Sequence, residues 1–132
     1  TQWNFIQIEN VQEVDAAFSH WLASHVGTIQ MVRCSFEDSG YSLCASMRHY
    51  SSTIHTIKFM STEIDRHILA QTIAHSTKLK SFNVQDKRSH VNDGWWGAIV
   101  NDGLALNTSV KHVFLSGRCA DNETLVGIYV AL

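Results

Sequence analysis

Ile54-His55-Thr56-Ile57-Lys58-Phe59 carries apolar side chains at its first, fourth and sixth positions. The stretch is too short for a helix and rich in strand formers, and its last residues alternate as the two faces of a strand do. The same apolar-x-x-apolar-x-apolar pattern stands upstream as Trp3/Ile6/Ile8 and Ile29/Val32/Cys34, and downstream as Leu79/Phe82/Val84 and Val110/Val113/Leu115. Successive offsets are 26, 25, 25 and 31 residues. A period in this range marks a solenoid, in which each repeat buries its core by stacking on its neighbours. Such a chain is expected to present a long surface rather than to enclose a catalytic pocket.

Each strand pattern is followed by apolar residues at helical spacing: Val14/Phe18/Leu22, Leu43/Met47, Ile64/Ile68 with Leu69/Ile73, and Trp96/Val100/Leu104 with Trp95 and Ile99. These stripes predict helices with one apolar side. Phe18, Leu43 and Ile68 keep a 25-residue offset, so the periodicity covers helices as well as strands. Val26-Gly27-Thr28, Ser51-Ser52-Thr53, Ser76-Thr77 and Asn107-Thr108-Ser109 precede the strands and suit the turn that leaves a helix. The longer interval holds Asp86–Gly94, read as a loop insertion of about six residues. The predicted fold is α/β: a horseshoe with short parallel strands on the concave side and helices on the convex side.

At 132 residues and 45% apolar content the chain suits one domain with a substantial core. Ten Lys and Arg against 12 Asp and Glu give a formal charge of -2, and no long basic stripe appears, so no nucleic-acid partner is expected. No apolar run is long enough for a membrane span, and residues 1–15 do not read as a signal peptide. Cys34, Cys44 and Cys119 are odd in number and irregularly spaced, which argues for buried thiols rather than a disulfide framework. With the sequons at Asn107 and Asn122 as weak signals only, a cytoplasmic protein is expected. The chain ends at Leu132 within an apolar run read as helical, and neither end has the polar outer face of a capping unit, so the expectation is a fragment of a longer solenoid, prone to self-association through uncapped repeat ends.

Ala74-His75-Ser76-Thr77-Lys78-Leu79-Lys80-Ser81-Phe82-Asn83-Val84 and Leu106-Asn107-Thr108-Ser109-Val110-Lys111-His112-Val113-Phe114-Leu115-Ser116-Gly117 resemble the helix end, turn and strand of the leucine-rich repeat family. The resemblance is to the strand-plus-helix form of ribonuclease inhibitor and the NOD-like receptors. It covers residues 1–132 as about four complete repeats and a terminal partial one. The family places Asn or Cys three residues after the third apolar strand position; Val11, Glu37, Thr62, Lys87 and Arg118 stand there by this register, so a regular polar ladder is not expected. The resemblance implies a non-catalytic protein-recognition or autoinhibitory segment of an intracellular receptor, with innate immunity as its setting. The Asn107–Ser116 segment is similar, more weakly, to the terminal repeats of tropomodulin, an actin-regulatory scaffold. A ubiquitin-ligase substrate adaptor is a further alternative.

No nucleophile elbow, Walker loop, dinucleotide fingerprint or zinc or calcium motif occurs, so no enzyme activity, cofactor or metal site is expected. Glu63/His67, Asp86/His90, Asp93 and Asp102 read as exposed polar residues and local caps. Alternation places Phe5/Gln7/Glu9, Met31/Arg33/Ser35, Thr56/Lys58/Met60, Ser81/Asn83/Gln85 and His112/Phe114/Ser116 on the open strand face. The central column thus reads Gln7, Arg33, Lys58, Asn83, Phe114, flanked by Phe5, Met31 and Met60. Aromatic and Met contacts exclude water and Arg gives directional hydrogen bonds, which suits a protein partner or another domain of the same parent chain. Trp95-Trp96 adds a candidate anchor, since Trp is favoured in interface hot spots.

Overall fold

A computed structural model describes residues 3–90, 97–118 and 125–131. Strands and helices alternate: β1 (Trp3–Glu9), α1 (Ala16–His25), β2 (Val26–Val32), α2 (Tyr41–Arg48), β3 (Thr56–Met60), α3 (Arg66–His75) and β4 (Ser81–His90). A π-helical segment (Ala98–Leu104), β5 (His112–Arg118) and β6 (Leu125–Ala131) follow. The six strands form one open sheet in chain order, parallel from β1 to β5, with β6 returning antiparallel to β5. This is the alternating, solenoid-like α/β arrangement that the two linked periodicities predict. No described helix is long and apolar enough to cross a membrane.

Two rows of side chains run across the sheet on its helix-covered face. Ile6, Ile29, Ile57, Phe82 and Val113 align in one, and Ile8, Met31, Phe59, Val84 and Leu115 in the other. Leu22, Leu43, Met47, Leu69, Ile73 and Ile99 close over them. Burial of each large aliphatic side chain stabilises by roughly 1.5–3 kcal/mol, and no unit could seal its own row without the next.

The register corrects the second repeat. Trp3 pairs with Val26 and Ile6 with Ile29, so that repeat is Val26/Ile29/Met31 and not Ile29/Val32/Cys34. The first apolar positions, Trp3, Val26, Ile54, Leu79 and Val110, are 23, 28, 25 and 31 residues apart. The cause is the junction: α1 ends at His25 and β2 begins at Val26, whereas residues 49–55 separate α2 from β3. The helix starts stay regular, with N-caps at Asp15, Gly40 and Asp65. Asp15 accepts the Phe18 N–H at 2.7 Å, and Asp65 accepts those of His67 and Ile68. Gly40 has φ +92, and a Cβ there would lie 2.6 Å from Ile64 Cγ1, so this start requires glycine. Asp38 supplies its cap, accepting the Ser42 N–H at 2.9 Å and the Gly40 N–H at 3.2 Å.

The turn residues before the strands hydrogen-bond one unit to the last. Thr53 Oγ1 donates to Val26 O at 2.9 Å, and Ser109 Oγ to Leu79 O at 2.7 Å. Asn107 Nδ2 donates to Ile73 O and Ser76 O, while its Oδ1 accepts the Ser109 and Val110 N–H groups. The amide of this first sequon is therefore committed to structure; the Asn122 sequon lies outside the described residues.

Four other expectations change. The buried side of α1 is Ser19, Leu22 and Ala23, leaving Phe18 partly exposed. The last stripe forms a π-helical segment in which Ile99 is buried and Val100 exposed, and Gly103 lies so close to α3 that a Cβ would sit 3.1 Å from Ala70 O. The apolar run at the end of the chain, read as helical, is the strand β6, in keeping with its β-branched and aromatic residues. The start of the insertion, Asp86–His90, continues β4 with a register shift between Gln85 and His90; residues 91–94 lie outside the described residues.

Candidate interaction surface

The strand face turned away from the helices is built by in-register pairing, which stacks equivalent residues into straight columns. Phe5, Thr28, Thr56, Ser81 and His112 form the first. Gln7, Gln30, Lys58, Asn83 and Phe114 form the second. Glu9, Val32, Met60, Gln85 and Ser116 form the third. Phe5 is exposed, while Lys58, Met60, Asn83 and Phe114 are half-buried on this face.

Three residues expected in these columns are elsewhere; Ser35 lies three residues beyond the end of β2, in an isolated bridge to Glu63. Met31 is fully buried, because it belongs to the inward row between Ile8 and Phe59. Arg33 stands one residue beyond the end of β2, exposed on the rim, and Gln30 takes its place in the central column. Trp95 and Trp96 lie outside the described residues.

The rim has a repeating geometry. Asn10, Arg33 and Ser61 each follow a strand and have φ of 57, 52 and 50. In this left-handed turn each N–H reaches a carbonyl of the next strand: Asn10 to Val32 O and Arg33 to Met60 O at 2.9 Å, Ser61 to Gln85 O at 2.7 Å. One residue further on, Cys34 Sγ donates to Ile8 O at 3.4 Å and Thr62 Oγ1 to Met31 O at 3.1 Å. Thr62 Oγ1 also accepts the Cys34 N–H at 3.4 Å. The corrected register thus puts Cys34, not Glu37, at the inner turn and joins it to Thr62 as two steps of a polar ladder. Arg33 Nε donates to Asn10 Oδ1 at 2.8 Å, which fixes the guanidinium over the rim. A groove of about 620 Å³ opens there, lined by Gln12, Val32, Arg33, Met60, Ser61 and Gln85 among others.

Burial pushes the Cys44 thiol up to about 11, against the hydrogen bond from Thr72 and the charge of Arg48. A thiol so placed is not a nucleophile at neutral pH. Cys34 is likewise buried and free, while Cys119 lies outside the described residues. Among the described residues no three His, Cys, Asp or Glu side chains gather as metal ligands. The Arg33 rim and its groove were not legible beforehand; the signal for them was the polar residue directly after each strand at Asn10, Arg33 and Ser61, visible only once the strand ends are set.

The chain matches no protein-family model and no curated protein.

Proposed function

We propose that this chain is a non-catalytic protein-recognition module of the leucine-rich repeat type, acting through the open strand face and its Arg33 rim. The observation that carries the reading is the straight central column Gln7–Gln30–Lys58–Asn83–Phe114. It sets one charge and one aromatic ring among amides that both donate and accept, the mixture by which protein surfaces are read. The repeat type is supported by the corrected second and third units, Val26-x-x-Ile29-x-Met31-x-x-Cys34-x-Phe36 and Ile54-x-x-Ile57-x-Phe59-x-x-Thr62-x-Ile64. Their sixth and ninth positions are respectively core and ladder, as the ribonuclease-inhibitor-like form requires. On that resemblance the module serves recognition or autoinhibition in an intracellular receptor similar to the NOD-like receptors, with another protein or a neighbouring domain as partner.

A photo-crosslinking side chain at Asn83 or Lys58, compared with one at the exposed Gln71 of helix α3, tests the surface. Capture from the strand face and not from the helix is the expected result, with Lys58→Glu and Phe114→Ala weakening binding of the captured partner at unchanged thermal stability. Equal capture from both faces, or full affinity in both variants, rejects this surface. Turnover of any substrate that a substitution in this chain abolishes rejects the non-catalytic reading.

A further inference from the structure

The groove beside Arg33 is shared by four consecutive units: Gln12 follows β1, Arg33 follows β2, Ser61 follows β3, and Gln85 stands on β4. The strand-end carbonyls around it are taken. Val32 O accepts the Asn10 N–H, Met60 O that of Arg33 and Gln85 O that of Ser61. Arg33 O accepts Gln12 Nε2 at 3.1 Å, and Cys34 O the Glu63 N–H at 2.9 Å. Gln12 Oε1 in turn accepts the Ser35 hydroxyl at 2.8 Å.

Donors are left over. Arg33 gives its Nε–H to Asn10, and its two Nη atoms have no partner among the described residues. The Ser61 hydroxyl has none there either, nor has the ammonium of Lys58, two residues before Met60 on β3. Asparagine suits a left-handed turn, as at residue 10, but arginine has no such preference. What the turn gains at residue 33 is a cation held over the groove. The neighbouring acids gather beyond Glu63, which lines the groove and also borders a cavity of about 370 Å³ with Asp65 and Asp86. Asp65 caps α3, and Glu63 and Asp86 have partners of their own.

We infer that the groove takes one carboxylate side chain, an Asp or Glu of the partner protein, with its oxygens on the Arg33 Nη atoms and the Ser61 hydroxyl. This rests on the strand face being a protein-binding surface and names the chemistry read at its rim. A carboxylate brings only acceptors and a single negative charge, which is what the open fork lacks. The second charge of a phosphate would meet the acids beyond Glu63. A chain terminus would stop at the groove. Val32, Met60 and Gln85, however, line the groove and also form part of the third column, so a segment lying on the columns passes it and continues.

NMR titration of the whole chain tests this with four peptides. Three are acetylated and amidated Gly-Gly-X-Gly-Gly, with X as Glu, Gln or phosphoserine; the fourth is acetylated pentaglycine with a free carboxyl end. The Glu peptide is expected to give saturable shifts of the Arg33 Nε–H and the Ser61 and Cys34 amides. The Gln and free-end peptides bind roughly tenfold or more weakly, and the phosphoserine peptide no more tightly than Glu. Arg33→Asn, a residue the left-handed backbone tolerates, abolishes the saturable shifts. Should it melt early, Asn10→Gly decides: it keeps the turn and the guanidinium but releases the Nε bond, and is expected to weaken the Glu peptide severalfold. No saturable shift, equal binding of the Gln or free-end peptide, tighter binding of phosphoserine, or full binding in both variants overturns the inference. Capture from Lys58 and Asn83 would then still uphold the face, and loss of that capture is the separate failure of the face.

Discussion

The junctions α1–β2 and α2–β3 do the same task with different lengths of chain. α1 runs straight into β2, while residues 49–55 intervene before β3. Yet the helix starts at Asp15, Gly40 and Asp65 remain evenly spaced, and the strands pair without a bulge from β1 to β3. Helix layer and strand layer thus keep separate registers. Each is fixed by its own contacts, caps and packing on one side and the backbone ladder on the other, and the connection absorbs the difference.

The sharpest way to break that comparison is to charge the residues on which the two registers disagree. Met31→Asp buries a carboxylate between Ile8 and Phe59 and is expected to destabilise by about 4 kcal/mol or more, whereas Arg33→Asp on the exposed rim costs about 1 kcal/mol. Urea unfolding of the pair measures it. Similar losses for both would restore the even 26-residue spacing and undo the register described above.

A smaller effect pins the helix layer. Gly40→Ala places a Cβ against Ile64 in a left-handed backbone and is expected to cost about 1–3 kcal/mol. Gly97→Ala, whose Cβ has Asn101 Nδ2 at 4.0 Å as its nearest neighbour among the described residues, is the control and should be close to neutral in thermal melts.

The smallest concerns the cap of α2. Burial pushes the Asp38 carboxyl up, but the Ser42 hydroxyl with the N–H groups of Ser42 and Gly40 outweighs it and holds the group below its ordinary value. A depressed folded-state value means stability that is present above the unfolded value and lost as pH falls through the folded one. Asp38→Asn should therefore cost about 1 kcal/mol at neutral pH and progressively less toward acid. A difference that stays constant between neutral pH and strongly acid solution would show that the carboxylate's charge contributes nothing.

Much of this organisation was legible because burial writes a period into the chain. Ile57/Phe59, Phe82/Val84 and Val113/Leu115 were placed correctly from alternation alone, and Leu43/Met47 and Leu69/Ile73 from helical spacing. The second repeat was misread because Val26-Gly27-Thr28-Ile29-Gln30-Met31-Val32-Arg33-Cys34 satisfies the apolar pattern in two registers three residues apart. Composition cannot choose between them; the neighbouring strands do. The same shift moved Met31 from candidate contact to core and Arg33 from column to rim. The apolar run that ends at Leu132 was read as helical; a short, nearly continuous apolar run does not tell helix from strand, and pairing with β5 makes residues 125–131 a strand.

Strand-only neighbours have a mechanical consequence. Every strand from β2 to β5 is gripped by the one before and the one after and by no other. Tension applied along the row would therefore unzip the chain one unit at a time, each step costing one interface, rather than snapping it at a single threshold. A spring built this way can stretch, lose an end unit and recoil with its middle still wound.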